Sequence, residues 1–349
     1  MSNKILNFKG THKEIGEQIG RQYRKWGKKE VYIARFANSY YPEQLKIYQK
    51  WFPQFIEYLE GVAKDMNISK DKVLTSYLTG FLSSTRIKPF SQCSILAVKN
   101  NDGVFVGRNY DWVESSERIS SLLNYEFTDH SANNFTAMTD MATWQIGKPV
   151  PQRDFVIMTD DAWNNKGLYI CLNGAPGPKA DTGMATPHVI QCVAEQCNTT
   201  QEAVELISQL PICQTKIFTI ADKNGDFAVV EKSQDKGCFV RKSNEMIFTT
   251  NHFNHPKLIL ENLSIFIDIP FHATFGRYHY LEYNLLKNKE NLDLNKILSL
   301  LTKPPVQQNW RGIDNGDTMT IWTYALNLTT GKYKIIFAPI LREKEIINN

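Results

Sequence analysis

The stretch Cys93-Ser-Ile-Leu-Ala-Val-Lys-Asn-Asn-Asp-Gly-Val-Phe-Val-Gly-Arg-Asn-Tyr-Asp-Trp112 decides how this chain reads. Residues 95–98 and 104–106 are short apolar runs rich in β-branched side chains, and Asn100-Asn-Asp-Gly103 between them is hairpin-turn chemistry. Antiparallel pairing about that turn returns Arg108 and Asp111 to the neighbourhood of Cys93, which they follow by fifteen and eighteen residues. A cation beside a cysteine stabilises the thiolate, the nucleophilic form. Two readings of Cys93 stand side by side: a catalytic nucleophile, or the small apolar core residue that thiols commonly are.

Upstream of the hairpin the pattern is helical. Residues 12–28 and 43–66 carry apolar side chains at three-to-four spacing, and a further helix is expected over 70–82 behind Ser69. A polar, proline-containing loop at 83–92 follows. Beyond Cys93 strands are expected at 94–98, 104–109, 124–128, 154–158, 168–172, 216–221, 226–231, 237–241, 246–250, 318–327 and 332–338, with Asp222-Lys-Asn-Gly225 as a second hairpin turn. Helices are expected at 187–197, 200–210, 274–286 and 293–300. Strands grouped on both sides of a helix pair predict two antiparallel sheets with helices outside them, a layered α+β fold.

Composition excludes several function classes. Forty basic against 36 acidic residues, a net charge of +4, offers no electrostatic case for a nucleic-acid partner. The basic run at 21–29 reads as a solvated helix face. The first ten residues lack the apolar core of a secretory signal and no run reaches transmembrane length, so a cytoplasmic protein without a transmembrane segment is expected. A homo-oligomer stays open. Six cysteines without a CxxC pair argue against a zinc ribbon or disulfide scaffold, and Cys192 and Cys197 read as core thiols. His252 and His255, with His272 and His279 downstream, leave a metal site open, but no thiol or carboxylate motif completes four ligands. The expectation is no metal and no cofactor, with His252 in the substrate pocket. Trp112, Tyr110, Trp144, Trp163, Phe253 and Phe271 lie near the motif segments and are either an apolar acyl pocket or core.

Cys-Ser followed across a hairpin by Gly107-Arg-Asn-Tyr-Asp-Trp112 resembles the start of the catalytic chain in the linear-amide hydrolases of the N-terminal-nucleophile (Ntn) class. That group includes choloylglycine hydrolases, penicillin V acylases, acid ceramidase-like amidases and the acyl-coenzyme A:6-aminopenicillanic acid acyltransferase family. Gly167-Leu-Tyr-Ile-Cys-Leu-Asn173-Gly-Ala-Pro-Gly177 is similar to the family's strand and glycine-rich turn with one oxyanion-hole element. Phe248-Thr-Thr-Asn251 resembles its Thr-Asn segment, Ala273-Thr-Phe-Gly-Arg277 its helix start with a second arginine, and residues 318–325 its late core strand.

The resemblance implies a four-layer αββα sandwich, with residues 1–92 as a helical pro-segment and 93–349 as the catalytic domain. It implies cleavage between Gln92 and Cys93, after which the new α-amino group, with an ordinary pKa of about 7.7 to 8.0, serves as the local base. By position, Arg108 would orient and ionise the thiol, and Asp111 would hold the amine. Asn251 and Asn173 would supply oxyanion donors, Arg277 would support the site, and Trp112, His252 and Phe253 would touch substrate. The implied reaction is hydrolysis of the linear amide of a small N-acylated molecule through an acyl-enzyme. Transfer of the acyl group to an amine, and an uncleaved binding protein, are the alternatives. Gln92 departs from the small residue that often precedes the nucleophile in related pro-enzymes.

Overall fold

A computed structural model of the protein describes residues 4–83, 92–118, 120–140, 156–178, 180–263, 274–310, 318–338 and 346–348. The first described element is a strand, β1 (Ile5–Gly10), which pairs in parallel with β4 (Ser121–Phe127). This strand precedes the helices of a segment whose pattern is otherwise helical, as expected. Helix α1 (His12–Lys25) starts where a capping box closes its first turn: the Thr11 hydroxyl accepts from Glu14 N and the Glu14 carboxylate accepts from Thr11 N. The helix expected over 43–66 is two, α2 (Ala37–Trp51) and α3 (Pro53–Met66), because Pro53 lacks the N–H that would continue the ladder and instead starts α3. Helix α4 (Lys70–Thr79) follows.

The quoted hairpin is β2 (Gln92–Asn100) and β3 (Gly103–Val113), in register Cys93 to Tyr110 and Ile95 to Arg108. After β4 come β5 (Phe135–Thr139), β6 (Asp161–Asn164) and β7 (Leu168–Gly174). Strands β5 and β6 were not anticipated, and the strand expected at 154–158 is absent over 156–158, the described part of that range. Helices α5 (Thr186–Gln196) and α6 (Thr200–Gln209) lead into β8 (Lys216–Asp222), β9 (Phe227–Ser233), β10 (Gly237–Ser243) and β11 (Met246–Thr249). Then come α7 (Thr274–Asn288), α8 (Leu294–Leu301), β12 (Asn309–Trp310), β13 (Thr318–Asn327), β14 (Tyr333–Phe337) and β15 (Ile346–Asn348).

These strands form two sheets, ordered β1-β4-β5-β6-β7-β8-β9-β10 and β11-β2-β3-β13-β14-β15, with β12 beside β13. Three apolar cores separate four layers. Ile15, Tyr23, Phe55, Leu59 and Val189 from α1, α3 and α5 pack on one face of the first sheet through Leu123, Phe135, Ile170 and Phe218. Cys93, Val106, Tyr110, Tyr169, Ile217, Trp322 and Tyr324 fill the space between the sheets. Leu96, Phe105, Leu281, Ile297 and Leu301 join the second sheet to α7 and α8. The result is the expected αββα sandwich. Gly107 allows its fourth layer to close, since a Cβ there would lie 2.5 Å from Ile297 Cγ2 and 2.9 Å from Leu301 Cδ1.

Candidate active site

Alternation along β2 and β3 sorts the hairpin's side chains between two faces. Cys93, Tyr110 and Arg108 point between the sheets, and Ser94, Asn109 and Asp111 point toward the α7 and α8 layer. Three bonds establish this: Arg108 Nη2 lies 3.6 Å from Cys93 Sγ, whereas Asn109 donates to the carbonyl oxygens of Leu301 and Val306. Cys93 is fully buried.

Arg108 is held rigidly. Its Nε meets Asp161 at 2.7 Å, Nη1 donates to Asn173 Oδ1 at 3.1 Å, and Nη2 also donates to the Leu172 carbonyl at 2.9 Å. Asp161 further accepts from Trp322 Nε1 at 3.2 Å, and the Trp322 ring stacks on Tyr110 at 4.0 Å. Burial raises the Asp161 carboxyl pKa, and Arg108 is the chief opposing influence. A buried guanidinium needs such a counterion. Asp161 was missed from sequence, because the residue lies 53 positions from its partner and follows no motif spacing.

Asn173 spends its side chain on the protein: besides accepting from Arg108, its Nδ2 donates to the Thr250 carbonyl at 2.7 Å. Asn251 lies at the centre of the outer half of the site. Its Oδ1 accepts from Cys93 N at 2.8 Å and from Arg277 Nη2 at 3.0 Å, and its Nδ2 donates to the Gly174 carbonyl at 3.0 Å. Two donors on Oδ1 fix the amide's orientation. Arg277, from α7, also donates to the Cys93 carbonyl at 2.5 Å and to Ser94 Oγ at 2.8 Å.

Asp111 sits opposite Gln92 in the ladder, out of phase with the thiol. Its Oδ1 accepts from Thr320 Oγ1 at 2.5 Å, while Oδ2 is buried with no hydrogen-bond partner among the described residues. Burial raises its pKa to about 7, with Arg277, Thr320 and Arg108 pulling the other way. The hairpin therefore brings Arg108 beside the sulfur, and brings Asp111 to the same end of the sheet but across it.

The remaining expected site residues are dispersed. Phe253 is buried in the inter-sheet core, its backbone bracketed by Asn262, and Trp112 is half-buried at the edge of that core. His252 is buried between the hydroxyls of Thr250 and Thr274, and burial together with Arg277 lowers its pKa to about 4. It is neutral near pH 7. His255 stacks on Phe239 and His279 pairs with Glu282. Among the described residues no three of His, Cys, Asp and Glu are placed to share a metal ion. Trp144, Phe271 and His272 lie outside the described residues, as do residues 84–91 before the expected cleavage site. Burial pushes the thiols of Cys171, Cys197 and Cys213 up to about 12, so these are core thiols.

Residues 98–339 match the family model of the acyl-coenzyme A:6-aminopenicillanic acid acyl-transferases. The chain belongs to this acyl-transferase family. The matched span begins five residues after Cys93 and includes Arg108, Asp111, Asn173, Asn251 and Arg277. No curated protein matches the chain. Among solved structures, a variant of the conjugated bile acid hydrolase from Clostridium perfringens aligns with a TM-score of 0.50 at 14% identity, over 73% of this chain and 92% of that one. An N-acylethanolamine-hydrolyzing acid amidase ortholog from Caenorhabditis elegans gives 0.47 at 14% identity, covering 74% and 100%. Penicillin V acylase from Agrobacterium tumefaciens gives 0.48 at 12%, covering 74% and 86%. At a TM-score of 0.50 the bile acid hydrolase variant shares the αββα fold described above. Among the described residues no helix is long and apolar enough to cross a membrane.

Proposed function

We propose that this protein is a cysteine-nucleophile enzyme that cleaves the linear amide of a small N-acylated molecule, after activation by cleavage between Gln92 and Cys93. The observation that carries the reading is the pairing of Cys93 Sγ with the Arg108 guanidinium at 3.6 Å, while the backbone nitrogen of the same residue is held by Asn251 at 2.8 Å. One residue then presents both a nucleophile and the nitrogen that becomes its base.

In the activating step the Cys93 sulfur attacks the Gln92 carbonyl carbon, the peptide C–N bond breaks, and water hydrolyses the thioester. This leaves a carboxylate on Gln92 and a free amine on Cys93. The orphaned Oδ2 of Asp111, opposite Gln92, is a natural acceptor for that amine once it is protonated. The pieces 1–92 and 93–349 stay together, because β1 is hydrogen-bonded to β4 and the α1 to α4 helices share a core with the first sheet.

In turnover the thiolate attacks the substrate carbonyl, the developing oxyanion accepts from the second Nδ2–H of Asn251, and the α-ammonium gives its proton to the departing amine. Asn173, whose side chain is engaged, acts by locking Arg108 to the strand of Thr250. Water resolving the thioester gives hydrolysis. An amine acceptor gives acyl transfer, a second reading favoured by the family match.

The test is a hydrolysis screen over N-acyl amino acids, N-acylethanolamines, penicillin V and conjugated bile salts, with hydroxylamine as a competing acceptor and the Cys93→Ala protein as control. Product formation that survives Cys93→Ala would overturn the reading.

A further inference from the structure

One face of α5 carries a buried polar seam against the first 92 residues. His188, Gln191 and Glu195 follow one another at three- and four-residue spacing and so share that face. His188 Nδ1 lies 2.6 Å from the Tyr48 hydroxyl of α2, and Glu195 Oε2 lies 2.8 Å from His12 Nε2 of α1. Gln191 Nε2 donates to Glu195 Oε1 at 2.9 Å. The His12 and Glu195 side chains are only 2% and 1% exposed. Their pairing therefore crosses, inside the protein, the boundary that cleavage before Cys93 would create.

His12 pins a corner of the fold. It opens α1 just after β1 ends, and its ring stacks at 4.4 Å on Phe127, the last residue of β4. Its Nδ1 lies 3.4 Å from Ser131 Oγ. The charged groups facing it are Glu195 from α5, Asp129 from the turn after β4 and Glu57 from α3, all acidic. Burial works against the imidazolium, but the hydrogen bond and charge of Glu195, helped by Asp129 and Glu57, outweigh it and raise the pKa above 6.5. Glu195 depends on His12 in turn, since it sits in the last turn of α5, where the helix dipole disfavours a negative charge. His188 behaves oppositely: burial lowers its pKa to about 3 and keeps it neutral. Glu195 lines a cavity of about 500 Å3 together with exposed Ser131, Asn165 and Lys166, so a proton can reach the pair without unfolding.

We propose that His12 and Glu195 form a pH-sensitive clasp that holds residues 1–92 to the catalytic part, closed near pH 6 and slackened near pH 9. Its service as a joint between separate pieces rests on the proposed cleavage before Cys93, whereas its titration does not. A raised histidine pKa contributes stability that is complete below about 6.5 and is lost as pH rises through the folded value. Above that value a neutral imidazole still bonds Glu195, but the carboxylate is left buried without its cation.

The experiment measures the dissociation constant of the 1–92 and 93–349 pieces by size exclusion in moderate urea, for the wild type and His12→Gln, at pH 6 and pH 9. Glutamine keeps a hydrogen bond to Glu195 and removes the titratable charge. At pH 6 the variant should pair about fivefold or more weakly, the difference between a charge-assisted and a neutral hydrogen bond, and at pH 9 the two should agree within about twofold. The same comparison of urea midpoints in the single-chain Cys93→Ala protein should show a gap at pH 6 that closes at pH 9. Equal gaps at both pH values, or none at either, would overturn the proposal. Active protein that is never cut sinks the cleavage instead, and the single-chain gap then decides the clasp by itself. A further measurement needs no variant: the His12 imidazole, assigned by its contact with Phe127, is titrated by NMR in the wild type. It should stay charged above pH 6.5, and a midpoint below that value would also overturn the proposal.

Discussion

Arg108 and Cys93 face each other on the inter-sheet side of the β2–β3 hairpin, Nη2 3.6 Å from Sγ, with the guanidinium locked by Asp161 behind it. A fixed, desolvated cation at that distance favours the thiolate. Removing Arg108 alone would leave Asp161 buried and uncompensated, at a cost of about 3–5 kcal/mol in stability. The informative variant is therefore Arg108→Met with Asp161→Asn, which removes both charges together. Its Cys93 alkylation profile with iodoacetamide should move to higher pH by about one unit or more, with the fold retained. An unmoved profile would make Arg108 a structural residue.

Cleavage before Cys93 predicts a specific N-terminus. Protein purified in active form should give two masses under denaturing conditions, corresponding to 1–92 and 93–349, that elute together in native buffer. Arg277 donates to the Cys93 carbonyl and to Ser94 Oγ, which fixes the strand on the C-terminal side of the expected break. Cys93→Ala should remain a single chain. Active protein whose only N-terminus lies at Met1 or Ser2 would require another base, and His252, neutral near pH 7, is the first candidate.

The hairpin was legible because its turn chemistry and β-branched runs fix register locally, and register fixes which residues meet Cys93. The same alternation already separated Asp111 from Arg108: three residues apart on a strand are on opposite faces. Reading by proximity alone set them together. Strands β5 and β6 escaped because Phe135–Thr139 and Asp161–Asn164 are short and buried along most of their length, without the polar alternation that marks a half-exposed strand. Asp161 and Trp322 were invisible for a different reason. Their roles come from how the two sheets stack, and no local spacing records that.

Asp111 carries a pH signature that isolates it. In the uncleaved chain its pKa stands at about 7 against an ordinary 3.8, so the folded state keeps a proton that the unfolded state releases between those values. Stability from this group therefore falls as pH rises from about 4 to about 7, and the full penalty persists above that. In the Cys93→Ala precursor, Asp111→Asn should raise stability at pH 8 by on the order of 2–4 kcal/mol and leave it nearly unchanged at pH 4. Denaturant unfolding at the two pH values measures this. In the cleavable protein the same substitution should reduce activity, because asparagine cannot hold an ammonium as a counterion. Equal stability changes at both pH values would remove Asp111 from the account.

Asn251 does two things that its substitutions can separate. Its Oδ1 positions the site by accepting from Cys93 N and Arg277, and its Nδ2 side is the donor assigned to the oxyanion. Asn251→Ala removes both and leaves the Arg277 and Cys93 donors short of a buried acceptor, so stability and activity should fall together. Asn251→Asp keeps an acceptor for both donors, loses both N–H groups including the one on the Gly174 carbonyl, and adds a negative charge beside Cys93. If the oxyanion depends on that N–H, kcat in the aspartate variant should drop by about 100- to 1000-fold with KM little changed, since the lost interaction exists only in the transition state. Alkylation of Cys93, which forms no oxyanion, should be affected far less once pH is high enough to ionise the thiol fully, because the added carboxylate raises the thiol pKa. Equal losses in turnover and alkylation would mean that Asn251 only positions Cys93 and that the oxyanion is met by another donor.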